Sequence, residues 1–146
     1  MSYLNPGLPQ PAPARDGLDE AYWKAAQEGK LVLQRCKDCG AYQWGPEWTC
    51  HRCCSENLTF EEIPPYGRIY SYERVWHPVH PALSEQGPYI IVLVEIPDRD
   101  GARMVGNLLG DPQQEVQIGA PVRAVFEHHE AEQINYTLVQ WEVDAS

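Results

Sequence analysis

The chain has 146 residues, of which 43% are hydrophobic and 22% are charged, and its formal net charge is −10 at pH 7. This length suits one domain, or a small metal module joined to a compact domain. No apolar run approaches the roughly 20 residues that a membrane-spanning helix needs. The scattered Lys and Arg residues lack the clustering that phosphate contacts require. The composition therefore predicts a soluble protein without a membrane or nucleic acid as partner.

The first sixteen residues form a proline-rich segment without hydrophobic periodicity. Its prolines are Pro6, Pro9, Pro11 and Pro13. Such a composition favours an extended chain over a helix or a strand. We therefore predict that residues 1–16 are an arm, either disordered or laid across a partner.

A short amphipathic helix is predicted next. Asp16 can cap it, and the acidic residues that follow place negative charge in its first turn, where the helix dipole favours anions. Gly29 supplies the left-handed stop at its end. Its apolar face consists of Leu18, Tyr22, Ala25 and Ala26, with Trp23 beside that face. A helix of about ten residues is marginal alone, so this face is expected to pack against the rest of the chain.

Two Cys-x-x-Cys pairs follow the helix, Cys36 with Cys39 and Cys50 with Cys53. Each pair closes a tight turn that directs two sulfurs inward, and ten intervening residues let the second pair complete a tetrahedron. Four soft thiolates favour zinc in a closed structural site. A single iron in a rubredoxin-like cage and two structural disulfides are the alternatives. Without a secretory signal, reduced cysteines and the cytoplasm are predicted.

Two further residues beside the second pair bear on this site. His51 adjoins Cys50, but the set of four sulfurs is already full, so we do not expect it to bind the metal. Cys54 stands where such turns commonly carry glycine, because the backbone there tends toward positive φ. A buried thiol without a role in metal binding is the expectation for Cys54, and a competing ligand or a reactive thiol is the alternative.

Short alternating strands surround the cysteine pairs and then give way to a second, purely β unit. The ribbon strands are predicted at 31–35, 42–44 and 58–62, and the later strands at 68–76, 89–96, 103–109, 121–127 and 135–143. Asp111-Pro112 has the N-cap and first-turn residues of a single helical turn between the third and fourth later strands. Five strands with this insertion are typical of an OB-fold barrel. The predicted organisation is an arm (1–16), a helix with a rubredoxin-like zinc ribbon (17–65) and an OB-fold (66–146), in a mainly β protein.

The order of these motifs resembles the DUF35 family of zinc-ribbon OB-fold proteins linked to acyl-CoA metabolism. The segments that carry the resemblance, after the four-cysteine ribbon, are YGRIYSYERVWHP, PYIIVLVEI and VQIGAPVRAVFE. It covers roughly residues 18–143, and Cys36, Cys39, Cys50 and Cys53 match the zinc ligands of the family. The resemblance implies an accessory subunit in a hetero-oligomer, for example a heterotetramer, with a thiolase-like enzyme. It also implies a link to a retro-aldolase of steroid side-chain degradation and to acyl-CoA as ligand.

The residues themselves predict no catalytic set. His77 and His80 form a His-x-x-His pair near Glu85, but neighbouring prolines keep the segment extended and no third ligand has a defined spacing. We expect a barrel loop that faces acyl-CoA or the partner, with contributions from Trp76 and Tyr89. His128 and His129 are expected at a solvated hairpin tip.

Exposed aromatic side chains are the strongest candidates for contact with a partner protein. The candidates are Tyr22 and Trp23 from the helix and Trp44 and Trp48 from the ribbon. Two other functions compete with the accessory subunit. One is a stand-alone OB module in which Tyr70, Tyr72 and Trp76 stack on nucleic acid bases, which the net charge opposes. The other, weaker hypothesis is an iron electron carrier built on the cysteine cage.

Overall fold

The fold is mainly β, with one helix ahead of two antiparallel sheets, and the predicted fold class is confirmed. The computed structural model describes residues 8, 11, 13–85, 87–130 and 135–144. Most of the predicted arm (residues 1–7, 9, 10 and 12) lies outside this range, so the prediction for it stays a prediction. No helix within the described ranges combines the length and the apolar character needed to cross a membrane.

The elements follow the chain in nearly the predicted positions. The helix and the ribbon strands are α1 (Glu20–Gln27), β1 (Leu31–Cys36), β2 (Tyr42–Gln43) and β3 (Leu58–Ile63). The barrel strands are β4 (Tyr66–Val75), β5 (Tyr89–Glu95), β6 (Arg103–Asn107), β7 (Pro121–His129) and β8 (Tyr136–Val143). A 3₁₀ turn that was not predicted from the sequence spans Pro81–Leu83. The strand boundaries lie within two residues of the predicted ones.

The two sheets are joined by helix α1 and by a common core. The ribbon sheet has the order β2-β1-β3 and the barrel sheet the order β6-β5-β4-β7-β8. A parallel bridge between Leu108 and Trp141 brings the end of β6 to β8. Helix α1 packs on β1 and on β8, and the side-chain amide of Gln27 donates to the carbonyl of Asn135 at 2.7 Å. The barrel and the ribbon therefore meet across the helix.

One buried apolar cluster runs through both sheets. Leu31 and Leu33 of the ribbon are buried with Ile69, Val92 and Trp141 of the barrel. Alternation along β5 directs every second side chain into this cluster, as a strand with one core face requires. The predicted boundary between residues 65 and 66 is thus crossed by continuous apolar packing.

Helix α1 begins later than predicted. The first helical residue is Glu20, and Asp19 rather than Asp16 holds the N-cap position, without a side-chain bond to the helix N–H groups. The carboxylate of Asp16 instead accepts from the N–H of Leu18 in the preceding turn. The carboxylate of Asp19 accepts hydrogen bonds from the backbone N–H of Ala14 at 2.7 Å and from the indole N–H of Trp23 at 3.0 Å. The predicted cap at Asp16 is wrong because the helix begins only at Glu20, and Asp19, at the N-cap position, uses its carboxylate for these two bonds instead.

The helical turn predicted at Asp111-Pro112 is present as a single hydrogen-bonded turn and not as a helix. The backbone N–H of Gln114 donates to the carbonyl of Asp111 at 3.0 Å, and the N–H of Gln113 donates to the side chain of Asp111 at 2.8 Å. This is an Asx-type turn, in which the aspartate side chain bonds its own backbone two residues on. Gly119 leaves the connection with φ +85°, in keeping with the predicted change of direction.

Candidate functional site

The four cysteines of the two pairs come together at one end of the ribbon sheet. The Sγ atoms of Cys36, Cys39, Cys50 and Cys53 all lie within 4.8 Å of one another. Cys36 is 3.6 Å from Cys53, and Cys39 is 3.6 Å from Cys50, measured between sulfurs. A tetrahedron with Zn–S bonds of about 2.3 Å requires sulfurs about 3.8 Å apart. The spacing and the soft donor set therefore fit a zinc ion.

Backbone N–H groups surround these sulfurs and favour their ionised forms. The N–H of Cys39 is the main cause that lowers the pKa of Cys36, to about 6. The N–H groups of Cys53 and then Arg52 lower the pKa of Cys50, and the Arg52 N–H lies 3.4 Å from that sulfur. Hydrogen bonds to charged acceptors are stronger than neutral ones. The site is thus built to hold thiolates beside a cation.

The other two thiols show why the cation is needed. The N–H groups of Ala41 and Ser55 act to lower the pKa of Cys39 and Cys53, respectively, but desolvation by burial and bonds to neighbouring sulfurs outweigh them. The pKa of Cys53 is raised as a result to about 12. Adjacent negative sulfurs repel, so all four ionise together only when a divalent cation balances the charge.

Cys54 and His51 lie outside the group of four. Cys54 has φ +60°, which confirms the predicted left-handed backbone at this position. Its side chain is exposed, so the expectation of a buried thiol is wrong. The reason is that the left-handed turn directs the residue away from the sulfurs toward solvent. His51 is exposed, and its backbone N–H donates to the side chain of Gln43 at 3.0 Å.

The four aromatic candidates for the partner surface fall into two groups. Tyr22 and Trp44 pack edge to face, with ring centroids 4.8 Å apart, and both lie against the shared core. Burial raises the pKa of the Tyr22 phenol to about 12. Trp23 is half-buried and also touches Tyr22. Trp48 differs from these residues because 59% of it is exposed.

A shallow groove lies beside Trp48 on the outer face of the ribbon. It has a volume of about 240 Å³ and is lined in part by Leu18, Leu58 and Phe60. Leu58 and Phe60 alternate on β3 and leave their side chains half-buried. The groove is also lined by Gln34, Glu47 and Glu56. Trp48 and this groove therefore give the ribbon a partly apolar outer surface next to the start of α1.

The ribbon and the barrel are held together by charged and aromatic side chains around Tyr42. The guanidinium groups of Arg35 and Arg99 lie over the Tyr42 ring, 5.0 Å and 4.9 Å from its centroid. The Tyr42 hydroxyl donates to Glu61 at 2.5 Å, and Arg35 donates to the other oxygen of Glu61 at 2.6 Å. Sequence reasoning missed this cluster, because Arg99 is far from Tyr42 in the chain.

Among the residues that the structure describes, those of the loop after β4 do not form a metal site with the residues around them. Trp76 and His77 are exposed, and Tyr89 is half-buried at the start of β5. His80 has a structural contact, since its Nδ1 accepts from the N–H of Ala82 at 3.2 Å and caps the 3₁₀ turn. Across the described ranges, the four cysteines are the group of Cys, His, Asp and Glu side chains close enough to hold a metal.

The histidines at the end of β7 are only partly as predicted. His128 is exposed and lies 2.8 Å from the hydroxyl of Thr137. His129 is half-buried, stacks on Tyr136 with centroids 4.8 Å apart, and lies 2.6 Å from Glu127. The prediction of a solvated tip is wrong for His129, because β7 extends through it and pairs it with Tyr136. Residues 131–134, at the tip itself, lie outside the described range.

The helix, the four-cysteine cage and the five-stranded sheet together define a zinc-ribbon OB-fold protein. Two family models match the chain: "ChsH2, rubredoxin-like zinc ribbon domain" over residues 23–59 and "ChsH2, C-terminal OB-fold domain" over residues 60–127. The chain belongs to the DUF35 family, as the resemblance predicted. One relative, a "DUF35 domain-containing scaffold protein" of Methanocaldococcus jannaschii, is 32% identical over 77% of this chain and 79% of its own length.

Two other relatives are longer proteins. A "Probable enoyl-CoA hydratase alpha subunit" of Thermomonospora curvata is 38% identical over 78% of this chain. The "3-oxo-4,17-pregnadiene-20-carboxyl-CoA hydratase alpha subunit" of Mycobacterium tuberculosis is 27% identical over 92% of this chain. The chain spans 34% and 40% of the length of these two relatives.

A solved structure is similar over nearly the whole fold. The structure described as "Ltp2-ChsH2(DUF35) aldolase" matches with a TM-score of 0.74 and 33% identity. The match covers 92% of this chain and 98% of the matched chain. The helix, the ribbon and the barrel therefore occur in the same arrangement in both proteins.

Proposed function

We propose that this chain is a non-catalytic scaffold subunit that binds and stabilises a thiolase-like enzyme. The observation that carries the proposal is the likeness to the Ltp2-ChsH2(DUF35) aldolase over 98% of the matched chain. The name of that protein pairs a DUF35 subunit with a second component of an aldolase. The relative from Methanocaldococcus jannaschii, named as a scaffold protein, supports the same role.

The zinc site fits a structural role in this subunit. Cys36, Cys39, Cys50 and Cys53 would hold the ion, and four sulfur ligands leave no open position for water or substrate. The ion, when bound, supplies folding free energy to a ribbon whose own apolar core is small. In this proposal the ribbon is a rigid support for the partner surface and carries no chemistry.

The arrangement of the remaining candidates supports a division of tasks between two surfaces. The exposed Trp48 and the half-buried Trp23 are proposed as contacts with the partner enzyme. Tyr22 and Trp44 are proposed to have a structural role, because they pack against the core. The barrel loop with Trp76, His77, His80 and Tyr89 is proposed to face acyl-CoA or the partner. The exposed indole of Trp76 suits contact with either one.

The finer proposal concerns the reaction of the complex. We infer that the partner is a retro-aldolase that cleaves a β-hydroxyacyl-CoA in steroid side-chain degradation. The aldolase name of the similar structure and the steroid-like CoA thioester in the name of the Mycobacterium tuberculosis relative support this choice. The proposed assembly is a cytoplasmic hetero-oligomer, for example a heterotetramer.

Co-expression with a neighbouring thiolase-like protein tests the scaffold proposal. We expect the two chains to elute together, and light scattering to give the stoichiometry. Neither chain alone should cleave a steroid β-hydroxyacyl-CoA, whereas the mixture should. If the wild-type chain elutes alone beside every thiolase-like candidate, or cleaves the substrate unaided, the proposal is wrong. Trp76→Ala should leave assembly intact and raise KM, if the barrel loop holds acyl-CoA.

A further inference from the structure

We propose that Gln34 and Gln43 are positioning residues that hold the ribbon loop of residues 44–51 rigid, so that Trp48 is presented to the partner in its bound conformation. The inference rests on the proposed function, because it concerns how the scaffold surface recognises a thiolase-like protein. It assigns a role in recognition to two buried side chains that do not bind the metal.

Gln34 fixes the loop on the N-terminal side of Trp48. Its side chain lies on β1 and is only 4% exposed. The amide Nε2 donates to the carbonyl of Glu47 at 2.9 Å, and Oε1 accepts from the N–H of Glu47 at 3.0 Å. Both backbone groups of the residue before Trp48 are thus bonded by one side chain.

Gln43 fixes the loop on the other side. It lies opposite Gln34 in the register of β1 and β2 and is likewise 4% exposed. Its Nε2 donates to Oε1 of Gln34 at 2.6 Å and to the carbonyl of Thr49 at 3.2 Å. Its Oε1 accepts from the N–H of His51 at 3.0 Å. The two side chains therefore bracket Trp48 with a connected set of hydrogen bonds.

The loop depends on these side chains because it has little other support. In the part of the chain that the structure describes, no backbone–backbone hydrogen bond ties residues 45–49 to other segments. Buried polar side chains are costly unless they are bonded, and here Gln34 and Gln43 use both donor and acceptor groups. An apolar pair would fill the same space but would leave the loop free to move.

A rigid loop matters for recognition because Trp48 projects from it into solvent. Tryptophan is enriched among the residues that dominate interface energies, and ordering a mobile loop on binding costs affinity. The groove beside Trp48 adds the apolar side chains of Leu18, Leu58 and Phe60 to the surface that is offered to the partner. The occupant to which this surface is assigned is the thiolase-like partner of the proposed function.

A double-mutant cycle with the thiolase-like protein that elutes with the chain in the co-expression experiment tests the inference. Gln34→Met keeps the side-chain length but removes both bonds to Glu47, and Trp48→Ala removes the anchor. We expect Gln34→Met to speed dissociation of the complex about tenfold, with zinc content unchanged. In the Trp48→Ala background the same change should alter dissociation less than about twofold, since coupled residues are non-additive.

Gln140→Met is the matched control for a buried glutamine elsewhere. Gln140 is 3% exposed and accepts from the N–H of Asn107 in the barrel. Any effect of Gln140→Met on dissociation should be equal with and without Trp48. If Gln34→Met has an equal effect in both backgrounds, it acts through general stability and the inference is overturned. If the wild-type chain does not bind at all, the proposed function fails instead.

Amide hydrogen exchange of the wild-type chain provides a test that does not depend on a variant folding. We expect the N–H groups of Glu47 and His51 to be protected in the free chain as strongly as in the complex. Protection that arises only when the partner binds would show that the loop is ordered by the partner, and would overturn the inference.

Discussion

Asp100 in the turn between β5 and β6 accepts a hydrogen bond from the backbone N–H of Tyr42 at 2.9 Å, which ties the barrel to the ribbon. The other carboxylate oxygen of Asp100 lies 3.4 Å from Arg52, beside the second cysteine pair. The Tyr42 N–H first, and the Arg52 charge second, hold the pKa of Asp100 below its usual range. The Asp100 side chain thus contacts the ribbon both at β2 and at Arg52 in the second cysteine pair.

The lowered pKa of Asp100 predicts a pH-dependent effect of Asp100→Asn. A carboxyl group whose pKa is lower in the folded state stabilises that state above its unfolded pKa of about 3.9, and loses this effect as pH falls through the folded pKa. We expect Asp100→Asn to melt at a lower temperature than wild type at pH 7, and the difference to shrink below about pH 4. Thermal unfolding of both proteins over this range measures it.

The quantity to compare is the difference in melting temperature between wild type and Asp100→Asn at each pH. Acid also protonates the cysteines and releases zinc from both proteins, so neither melting temperature alone is informative. A difference that stays constant from pH 7 into strong acid would show that the charge of Asp100 does not stabilise the junction.

The metal site predicts about one zinc per chain and no visible charge-transfer band. Cys39→Ser or Cys50→Ser should reduce zinc to near zero and unfold the ribbon, because zinc binding supplies folding free energy there. Cys54→Ser is the matched control and should keep its zinc, since Cys54 lies outside the group of four. Elemental analysis with an absorption spectrum decides, and iron near one equivalent per chain would contradict the prediction.

The approach of β6 to Trp141 predicts that Gly106→Ala is destabilising. An added Cβ would lie 2.8 Å from both Trp141 Cδ1 and the Val139 carbonyl oxygen, so the fully buried indole or the backbone must shift. Overpacking of this kind costs about 1–3 kcal/mol. The exposed neighbour Val105 is the control, and Val105→Ala should change stability by only about 0.5 kcal/mol. Denaturant unfolding compares them, and equal stability of the two variants would refute the clash.

The candidate site was predictable from the sequence where its residues are close in the chain. Cys36 to Cys53 span one local motif, and the left-handed backbone of Cys54 follows from the turn geometry of that motif. The contact of Asp100 with Tyr42 was not predictable, because it depends on how two segments that are distant in the chain meet. Neither were the roles of Gln34 and Gln43, since alternation along a strand tells which side chains are buried but not which loop they bond.

The bounds of α1 and the end of the β7–β8 hairpin also show which features can be predicted from local sequence and which cannot. Gly29 ends α1 as predicted because a glycine with positive φ is a local signal. The start of α1 was misplaced because Asp16 and Asp19 are equally good capping residues by sequence, and it is Asp19 that holds the N-cap position. His129 was misplaced because its stacking on Tyr136 needs the register of β7 with β8.

The difference in exposure between Trp48 and Trp44 predicts opposite results for their alanine variants. Trp48→Ala should keep zinc and fold but weaken partner binding by about 2 kcal/mol or more, as loss of an anchor does. Trp44→Ala removes the ring that packs on Tyr22 and should lower stability by about 2–3 kcal/mol. Zinc analysis, thermal unfolding and co-elution with the partner separate these effects. Loss of folding in Trp48→Ala with intact binding by Trp44→Ala would reverse the assignment.

The net charge predicts that nucleic acid binding is absent or weak. Although Tyr70, Tyr72 and Trp76 are exposed on or next to β4, Arg103 lies over Tyr70 and Arg74 over Trp76. A chain with net charge −10 has few contacts through which binding could release counterions. Fluorescence anisotropy with single-stranded DNA and RNA at low salt measures this. Micromolar affinity that falls steeply with added salt would favour the nucleic acid module over the scaffold.

The continuous core bears on whether the two halves of this protein can be inherited or engineered separately. A cut at Pro64-Pro65, where the sequence suggests a boundary, would leave Leu31 and Leu33 exposed on one fragment and the face of Ile69 exposed on the other. Exposed apolar surfaces of this kind promote association with other chains. Exchange of the ribbon between relatives should therefore succeed only when α1 and the facing barrel residues are exchanged with it.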